Sequence, residues 1–246
     1  MRILAFDTST EILSVAVGAP VHGERRIWAH SGSGGAQASH TLIATVQDLL
    51  RQAGLQLKDV DAIGFGAGPG AFTGLRTACA VAQGLALGAG LPVLPVPSLL
   101  ALAEEARFHQ HCASGGPALT VLAVLDARMG EVYAAAYAFE DGRWQTLREP
   151  CLTSPQQAAA WLAALPPDGL VAGNALAAHP GMLGAWAGVA LPLAGPTAQA
   201  IVRLAPALLH AGLAVDAADA LPLYVRDKVA LTTLEREAAA RAKSHA

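Results

Sequence analysis

The residues best suited to chemistry lie in a short polar segment near the start of the chain, Asp7-Thr8-Ser9-Thr10. The apolar stretches before and after it predict two strands, so we expect the segment to form a hairpin turn. Hydroxyl and backbone N–H groups in such a turn can bind phosphates, and the carboxylate of Asp7 can organise a metal ion or a water molecule. Taken alone, the segment favours a simpler explanation, in which good turn formers bond to their own backbone.

A glycine-rich segment, Gly66-Ala67-Gly68-Pro69-Gly70-Ala71-Phe72-Thr73-Gly74, follows a predicted strand and opens a predicted helix. Its first residues fit a loose dinucleotide-binding pattern, but that pattern needs an acidic residue about 20 positions later. The next acidic residue is Glu104, and Pro69 lacks an N–H group for a phosphate. We therefore expect these glycines to let two backbones approach closely, within the fold or across an interface.

Other catalytic signatures are absent from the sequence. It contains no GxxxxGK[ST], GxSxG, HxxxH or HExxH pattern, so a protease has no nucleophile–base pair or metal cluster to support it. Cys79, Cys112 and Cys151 are far apart and form no CxxC pair. This usage indicates a reducing cytosol and argues against a disulfide framework or a structural zinc site.

Composition limits the classes of partner. The 246 residues are 53% hydrophobic, which is enough for one large or two small domains. The net charge of −3, without a basic stripe, argues against nucleic-acid binding by the chain alone. Residues 77–103 carry no charge, but their glycines and prolines predict a helix, a strand and another helix rather than a membrane span. We expect a cytoplasmic protein with no membrane partner.

Hydrophobic spacing predicts the elements that position these segments. A helix over His40–Ala53 has Ser39 as its expected cap, and a helix over Thr197–Ala211 is expected to be kinked or broken at Pro206. An apolar strand ending in Asp7 is followed by a turn and a second strand, and the same order recurs around Asp126. Such a duplication predicts two similar subdomains facing a cleft, with two unrelated hairpins as the alternative.

We expect the first subdomain to cover residues 1–107 and the second to cover residues 108–246. A C-terminal tail, residues 221–246, is expected to return to the first subdomain.

Four segments in register carry a resemblance to a known family. Arg2–Thr10 resembles the start of the TsaB (YeaZ) proteins, and Gly68–Arg76 is similar to their central signature, although Ala71 stands where serine is usual. Asp126–Tyr133 is similar to their second hairpin, and Pro222–Arg226 resembles their closing Pro-x-Tyr-x-Arg motif. The matches run in order from residue 2 to about residue 230.

The resemblance implies an α/β fold of the actin-like (ribonuclease H-like) class, with mixed sheets flanked by helices. It also implies a non-catalytic subunit required for threonylcarbamoylation of the tRNA adenosine next to the anticodon, acting by binding the catalytic TsaD subunit. A TsaE-type ATPase would complete the assembly. The partner subunits would supply ATP and metal, and the isolated chain would bind no cofactor. The chain would contact tRNA only as part of the complex. The chain alone could form a homodimer.

The resemblance also suggests why this chain is not expected to be an enzyme. TsaD-like proteins hold a metal ion with an HxxxH pair, and Ser98 and Leu102 stand at the matching positions. Arg128 and Met129 replace a Gly-Gly turn and would crowd a phosphate, although Arg128 could bind one. The Asp7–Thr10 turn is then a vestigial phosphate loop. The alternative is an ATP-dependent actin-like transferase or kinase.

The expected partner surface comprises Gly68, Pro69, Gly70, Phe72, Thr73, Gly74, Leu75 and Arg76, together with the helix that begins there and the helix over His40–Ala53. Small residues in the first of these helices would allow close helix approach, namely Ala78, Ala82, Gly84 and Ala86. The alternative is that this helix only packs on its own sheet. Charge reversal at Arg76 is expected to weaken the pairing.

Overall fold

The computed structural model describes residues 1–35, 38–114, 119–184 and 186–226, which form two halves of matching organisation. The elements of the first half are β1 Ile3–Asp7, β2 Ile12–Val21, β3 Glu24–Ser33, α1 Ala38–Gln52, β4 Ala62–Gly68, α2 Phe72–Ala89, β5 Val93–Pro97 and α3 Ser98–Ser114. Those of the second are β6 Leu119–Asp126, β7 Val132–Glu140, β8 Arg143–Thr153, α4 Pro155–Ala163, β9 Leu170–Ala172, α5 Ala175–Ala178, β10 Val189–Leu191 and α6 Ala198–His210.

The two sheets repeat one topology. The first has the strand order β3-β2-β1-β4-β5. The second, starting likewise from its third strand along the chain, has the order β8-β7-β6-β9-β10. In each, the first three strands along the chain pair antiparallel and the last two join in parallel. The fold therefore confirms the predicted α/β architecture of two similar subdomains with mixed sheets.

The spacing and the end of α1 follow from its local sequence. In α1 the buried residues Leu42, Val46 and Leu49 follow helical spacing, and Gly54 beyond the helix adopts a φ of 67°. The helix begins at Ala38, so the expected cap at Ser39 is wrong, because that residue lies inside the first turn.

The expected helix over Thr197–Ala211 is confirmed, but of the two outcomes expected at Pro206, a kink or a break, the break is wrong. Helix α6 continues through this residue to His210. The first turn is capped by Thr197, whose side-chain oxygen accepts a hydrogen bond from the Ala200 N–H at 3.1 Å. Because Ile201 and Leu204 are buried in the core, tertiary packing outweighs the backbone hydrogen bond that the proline removes.

Helices α3 and α6 lie between the two sheets, and each packs on a sheet of the other half of the chain. Helix α6 contacts β1, β2 and β4, while α3 contacts β6. A methyl group at Gly18 would lie 2.3 Å from Val202 Cγ1, and one at Gly64 would lie 2.6 Å from Ile201 Cγ2. These glycines let α6 sit close to the first sheet. The expected division at residues 107/108 falls within α3 and stays a prediction.

A buried charge network joins α3 to α6. Glu104 and Glu105 are only 2% and 8% exposed, and the guanidinium of Arg203 bonds to both carboxylates, at 2.9 Å to Glu104 Oε1. Arg107 and the indole N–H of Trp144 also donate to Glu104, at 2.8 Å and 3.0 Å. The network therefore neutralises two carboxylates between the sheets.

The uncharged run at residues 77–103 is divided among α2, β5 and the start of α3, which confirms the predicted helix, strand and helix. Within the described ranges, no helix combines the length and the apolar character that crossing a bilayer requires.

Replacing Arg203 by alanine should destabilise the chain by about 3–5 kcal/mol, because it leaves two buried carboxylates short of their shared cation. Urea denaturation measures the change. The matched control is Arg51→Ala, which removes an exposed pair with Asp48 and should have little effect. Equal effects of the two substitutions would contradict this role of the network.

Candidate functional site

The first hairpin turn is organised by the carboxylate of Asp7, which ends β1 and is fully buried. Its Oδ1 accepts hydrogen bonds from the Ser9 N–H at 2.7 Å and the Ser9 hydroxyl at 2.6 Å. Its Oδ2 accepts one from the Ser98 hydroxyl at 2.9 Å. Burial raises the pKa of Asp7, and the bonds from Ser9 and Ser98 oppose this shift in part.

The neighbouring polar groups of the turn are bonded to the glycine-rich segment. The Thr8 hydroxyl donates to the Gly74 carbonyl at 2.7 Å, and the Ala71 N–H donates to the Ser9 carbonyl at 2.7 Å. The Thr10 hydroxyl oxygen accepts from the backbone N–H of Ile12 at 3.2 Å. The polar groups of the turn are therefore bonded to groups of the same chain, partly within the turn and partly in the glycine-rich segment.

Three glycines make this contact possible. A methyl group at Gly66 would lie 1.7 Å from a carboxylate oxygen of Asp7. At Gly70 it would lie 2.3 Å from the Ser9 carbonyl oxygen, and at Gly74 1.8 Å from the Thr8 carbonyl oxygen. The predicted close approach of two backbones is confirmed at Gly70 and Gly74, where it occurs within the fold, whereas Gly66 makes room for the side chain of Asp7.

The second hairpin turn, after β6, has a different construction. The backbone φ angles of Arg128, Met129 and Gly130 are 62°, 57° and 77°, values that residues other than glycine seldom adopt. The Arg128 N–H donates to Asp126 Oδ1 at 3.1 Å, and the Asp126 N–H donates to Asn174 Oδ1 at 2.9 Å. Sequence reasoning missed Asn174, although the duplication, extended to the end of β9, could have pointed to it.

The two turns face an open cleft of about 270 Å³. The Arg128 guanidinium crosses it and bonds to Glu11 Oε1 at 3.0 Å, with both side chains more than 70% exposed. Residues 223–226 line the same cleft, and the Leu223 N–H donates to the Ala67 carbonyl at 2.7 Å. The expected return of the whole tail to the first subdomain stays a prediction. Residues 227–246 of the expected tail lie outside the described residues.

The two positions that match a metal-binding pair do not fit a metal ion. Besides its bond to Asp7, the Ser98 oxygen accepts from the Gly68 N–H at 3.2 Å. Leu102 is fully buried in the core and offers no ligand atom. Over the described part of the chain, no group of three or more His, Cys, Asp or Glu side chains is placed to hold a metal ion.

The expected partner-binding residues divide between the interior and the surface. Gly68, Pro69, Gly74 and Leu75 are buried, and Gly70 and Phe72 are partly buried. Thr73 and Arg76 are exposed near the start of α2. The partner role of the whole set stays a prediction.

Two duplicated mixed sheets, with facing hairpin turns that each begin with an aspartate, define a protein of the actin-like class.

The family model described as "TsaD: tRNA N6-adenosine threonylcarbamoyltransferase" matches residues 34–179. The tRNA threonylcarbamoyladenosine biosynthesis protein TsaB of Escherichia coli (strain K12) is 35% identical over 94% of this chain and 96% of its own length. The TsaB protein of Haemophilus influenzae is 40% identical over 64% of this chain and 66% of its own length. The structure of YeaZ from Pseudomonas aeruginosa superposes with a TM-score of 0.77 at 35% identity, covering 91% of this chain and 99% of that one. The chain belongs to the TsaB (YeaZ) family.

Gly74→Ala should destabilise the fold, because the added methyl group collides with the backbone of Thr8. Gly84, in the same helix, has no neighbouring atom within 4 Å of such a methyl group. Gly84→Ala should therefore stabilise the isolated chain by about 1 kcal/mol through helix propensity alone. Thermal unfolding of both variants checks the opposite signs, and equal shifts would contradict the close packing at Gly74.

Asp7→Asn should change the pH dependence of stability. Because the pKa of Asp7 is raised on folding, stability falls as pH rises from the unfolded value of about 4 through the raised folded value. Asparagine does not ionise, so the stability of the variant relative to the parent should increase from mildly acidic to mildly alkaline pH. Urea denaturation at both pH values measures the difference, and a constant difference would refute the raised pKa.

Proposed function

We propose that the chain is a non-catalytic partner subunit required for threonylcarbamoylation of the tRNA adenosine next to the anticodon, acting by binding the catalytic TsaD-type subunit. The names of the Escherichia coli and Haemophilus influenzae relatives support a role in tRNA threonylcarbamoyladenosine biosynthesis. The proposal that the chain is not a catalyst rests on the first hairpin turn, whose polar groups are already hydrogen-bonded within the chain. Asp7, Thr8 and Ser9 are bonded to groups of the same chain.

A working ATP-dependent transferase or kinase would need this turn for a phosphate. The Thr8 hydroxyl and the Ser9 N–H and hydroxyl already donate to protein oxygens, and a ligand would have to replace those bonds. The carboxylate of Asp7 is fully buried and bonded on both oxygens. These contacts favour the partner role over the catalytic alternative.

The outer face of α1 and α2 supports a role in binding. Ile43 on α1 is 47% exposed and Leu87 on α2 is 78% exposed. A groove between the two helices is lined mainly by aliphatic side chains, among them Val46, Leu50 and Leu85. Exposed apolar surface of this kind is typical of a protein interface.

Helix α2 has two faces with different uses. Ala78, Ala82 and Ala86 are fully buried, so these small residues pack on the chain's own core. Ala80 and Gly84 are exposed on the other face, where their small size would let a partner helix come close. The interface proposed here therefore uses the second face of α2 together with α1.

The remaining partners follow from this assignment. The catalytic subunit and a TsaE-type ATPase bind ATP and metal. The chain contacts tRNA only as part of the complex. In the absence of the catalytic subunit, the same apolar face pairs two copies of the chain. The assembly works in the cytoplasm.

Gly84→Arg should separate folding from binding. Arginine is a better helix former than glycine, so the isolated chain should remain folded. The bulky charged side chain on the exposed face of α2 should prevent close approach of a partner. Light scattering after size exclusion, with the TsaD-type subunit of the same organism, should show a one-to-one complex for the parent chain and separate species for the variant.

The matched control is Ala160→Arg, which adds the same side chain at an exposed position of α4. This variant should form the complex as the parent does. If the parent chain and the catalytic subunit elute separately in the presence of tRNA and the ATPase, the proposed function is wrong. If Gly84→Arg forms the complex as well as the control, the interface is misplaced.

A further inference from the structure

The segment Leu221–Arg226, named here the strap, extends the surface of α2. Immediately before it, the Ala220 carbonyl accepts from Gln83 Nε2 at 3.1 Å and from Cys79 Sγ at 3.3 Å. Further along, the Leu223 N–H donates to the carbonyl of Ala67 near the end of β4, and Tyr224 contacts Phe72 at the start of α2. The strap therefore runs along α2 from its middle towards its N-terminal end.

At that end the strap completes an aromatic–arginine cluster. The ring centroids of Phe72 and Tyr224 are 5.4 Å apart. The Arg76 guanidinium carbon lies 3.8 Å from the centre of the Phe72 ring, and Arg76 Nε donates to the Tyr224 hydroxyl at 3.2 Å. These three residues, named here the anchor, are held in one arrangement before any partner binds.

Within the described ranges, Arg76 has no counterion. No carboxylate among the described residues lies within ion-pairing distance of its guanidinium, whereas Arg107, Arg203 and Arg226 each pair with a glutamate. Arg76 is also exposed, in a chain whose net charge is −3. An exposed, preorganised cation beside two aromatic rings is suited to bind a carboxylate.

The strap itself is apolar on its outer side. Leu221, Leu223 and Tyr224 are 70%, 38% and 47% exposed. Tyr224 contacts Phe72 and Arg76 on α2, so the exposed surface of that helix continues onto the strap. Tyrosine and arginine at the edge of such a surface are typical of residues that contribute most to binding.

Arg226 holds the strap against the second subdomain. Its guanidinium donates to the Ala127 carbonyl at 2.9 Å and pairs with Glu131 at 2.9 Å, and its side chain is only 14% exposed. Because Arg226 lies two residues after Tyr224, these bonds hold the end of the strap that carries the tyrosine. Arg226 is a positioning residue for the anchor.

We propose that the strap is part of the interface with the catalytic subunit, and that the anchor of Phe72, Arg76 and Tyr224 binds an acidic side chain of that subunit. This inference rests on the proposed function and deepens it. It adds Tyr224 to the interface and assigns Arg226 an indirect effect on affinity.

Titration calorimetry with the TsaD-type subunit tests the inference. Tyr224→Ala should weaken binding about 10-fold to 30-fold, because it removes both the ring and the hydroxyl that hold Arg76. Tyr224→Phe keeps the ring and should lose less. Arg76→Glu should weaken binding and reduce the salt dependence of the affinity, since the ion pair with the partner is gone.

Arg226→Ala should also weaken binding, and Arg226→Lys should restore part of the loss. The matched control is Arg148→Ala, which removes an exposed arginine lying 4.7 Å over the Trp161 ring in the second subdomain. This control should bind as the parent chain does. Circular dichroism and thermal unfolding verify that each variant is folded.

The outcomes separate the two claims. A folded Tyr224→Ala chain that binds as tightly as Arg148→Ala removes the strap from the interface and leaves the partner role intact. An Arg76→Glu chain with the parent's salt dependence removes the carboxylate contact. A parent chain that does not bind the catalytic subunit overturns both the inference and the proposed function.

Discussion

The carboxylate of Asp7 imposes the constraint on which the rest of the site depends. A fully buried carboxylate needs hydrogen-bond donors, and here Ser9 and Ser98 supply them. Ser98 begins α3 and also binds the Gly68 N–H, so one cluster joins β1, the glycine-rich segment and the helix between the sheets. Gly66 has no side chain because the carboxylate occupies the place of its Cβ. The hydrogen-bonding groups of this turn, which in another protein could bind a phosphate, here stabilise the fold.

The partner surface proposed for this fold lies away from the closed turn. The duplicated sheets still form a cleft, but Arg128 and Glu11 pair across it, and the strap lines one side. The outer face of α1 and α2 keeps exposed aliphatic side chains that the described residues do not cover. The buried glutamates of α3 and their bonds to Arg203 hold the two sheets together from inside. A stable body with an uncovered helical face is suited to support a partner enzyme.

The structural features that could be predicted from the sequence are those encoded in one continuous stretch of residues. Alternation of strand and turn around Asp7 and Asp126 was enough to predict the duplication, because each hairpin is continuous in the chain. The path of α6 back to the first sheet could not be read from it, since helical spacing shows that one face is buried but not which sheet covers it. Continuation of α6 through Pro206 depends on the same packing. The contact between Arg226 and Glu131 joins residues far apart in sequence, so no local pattern contains it.

The rate of threonylcarbamoyl transfer to tRNA is the decisive measurement, in a reconstituted mixture of a threonylcarbamoyl donor, the catalytic subunit, the ATPase and this chain. We expect that transfer requires the chain and that Arg128→Ala, which alters the cleft without touching α1 or α2, supports the parent rate. Transfer by this chain in the absence of the catalytic subunit would contradict the account. Loss of transfer with a folded Arg128→Ala chain that still forms the complex would contradict it as well.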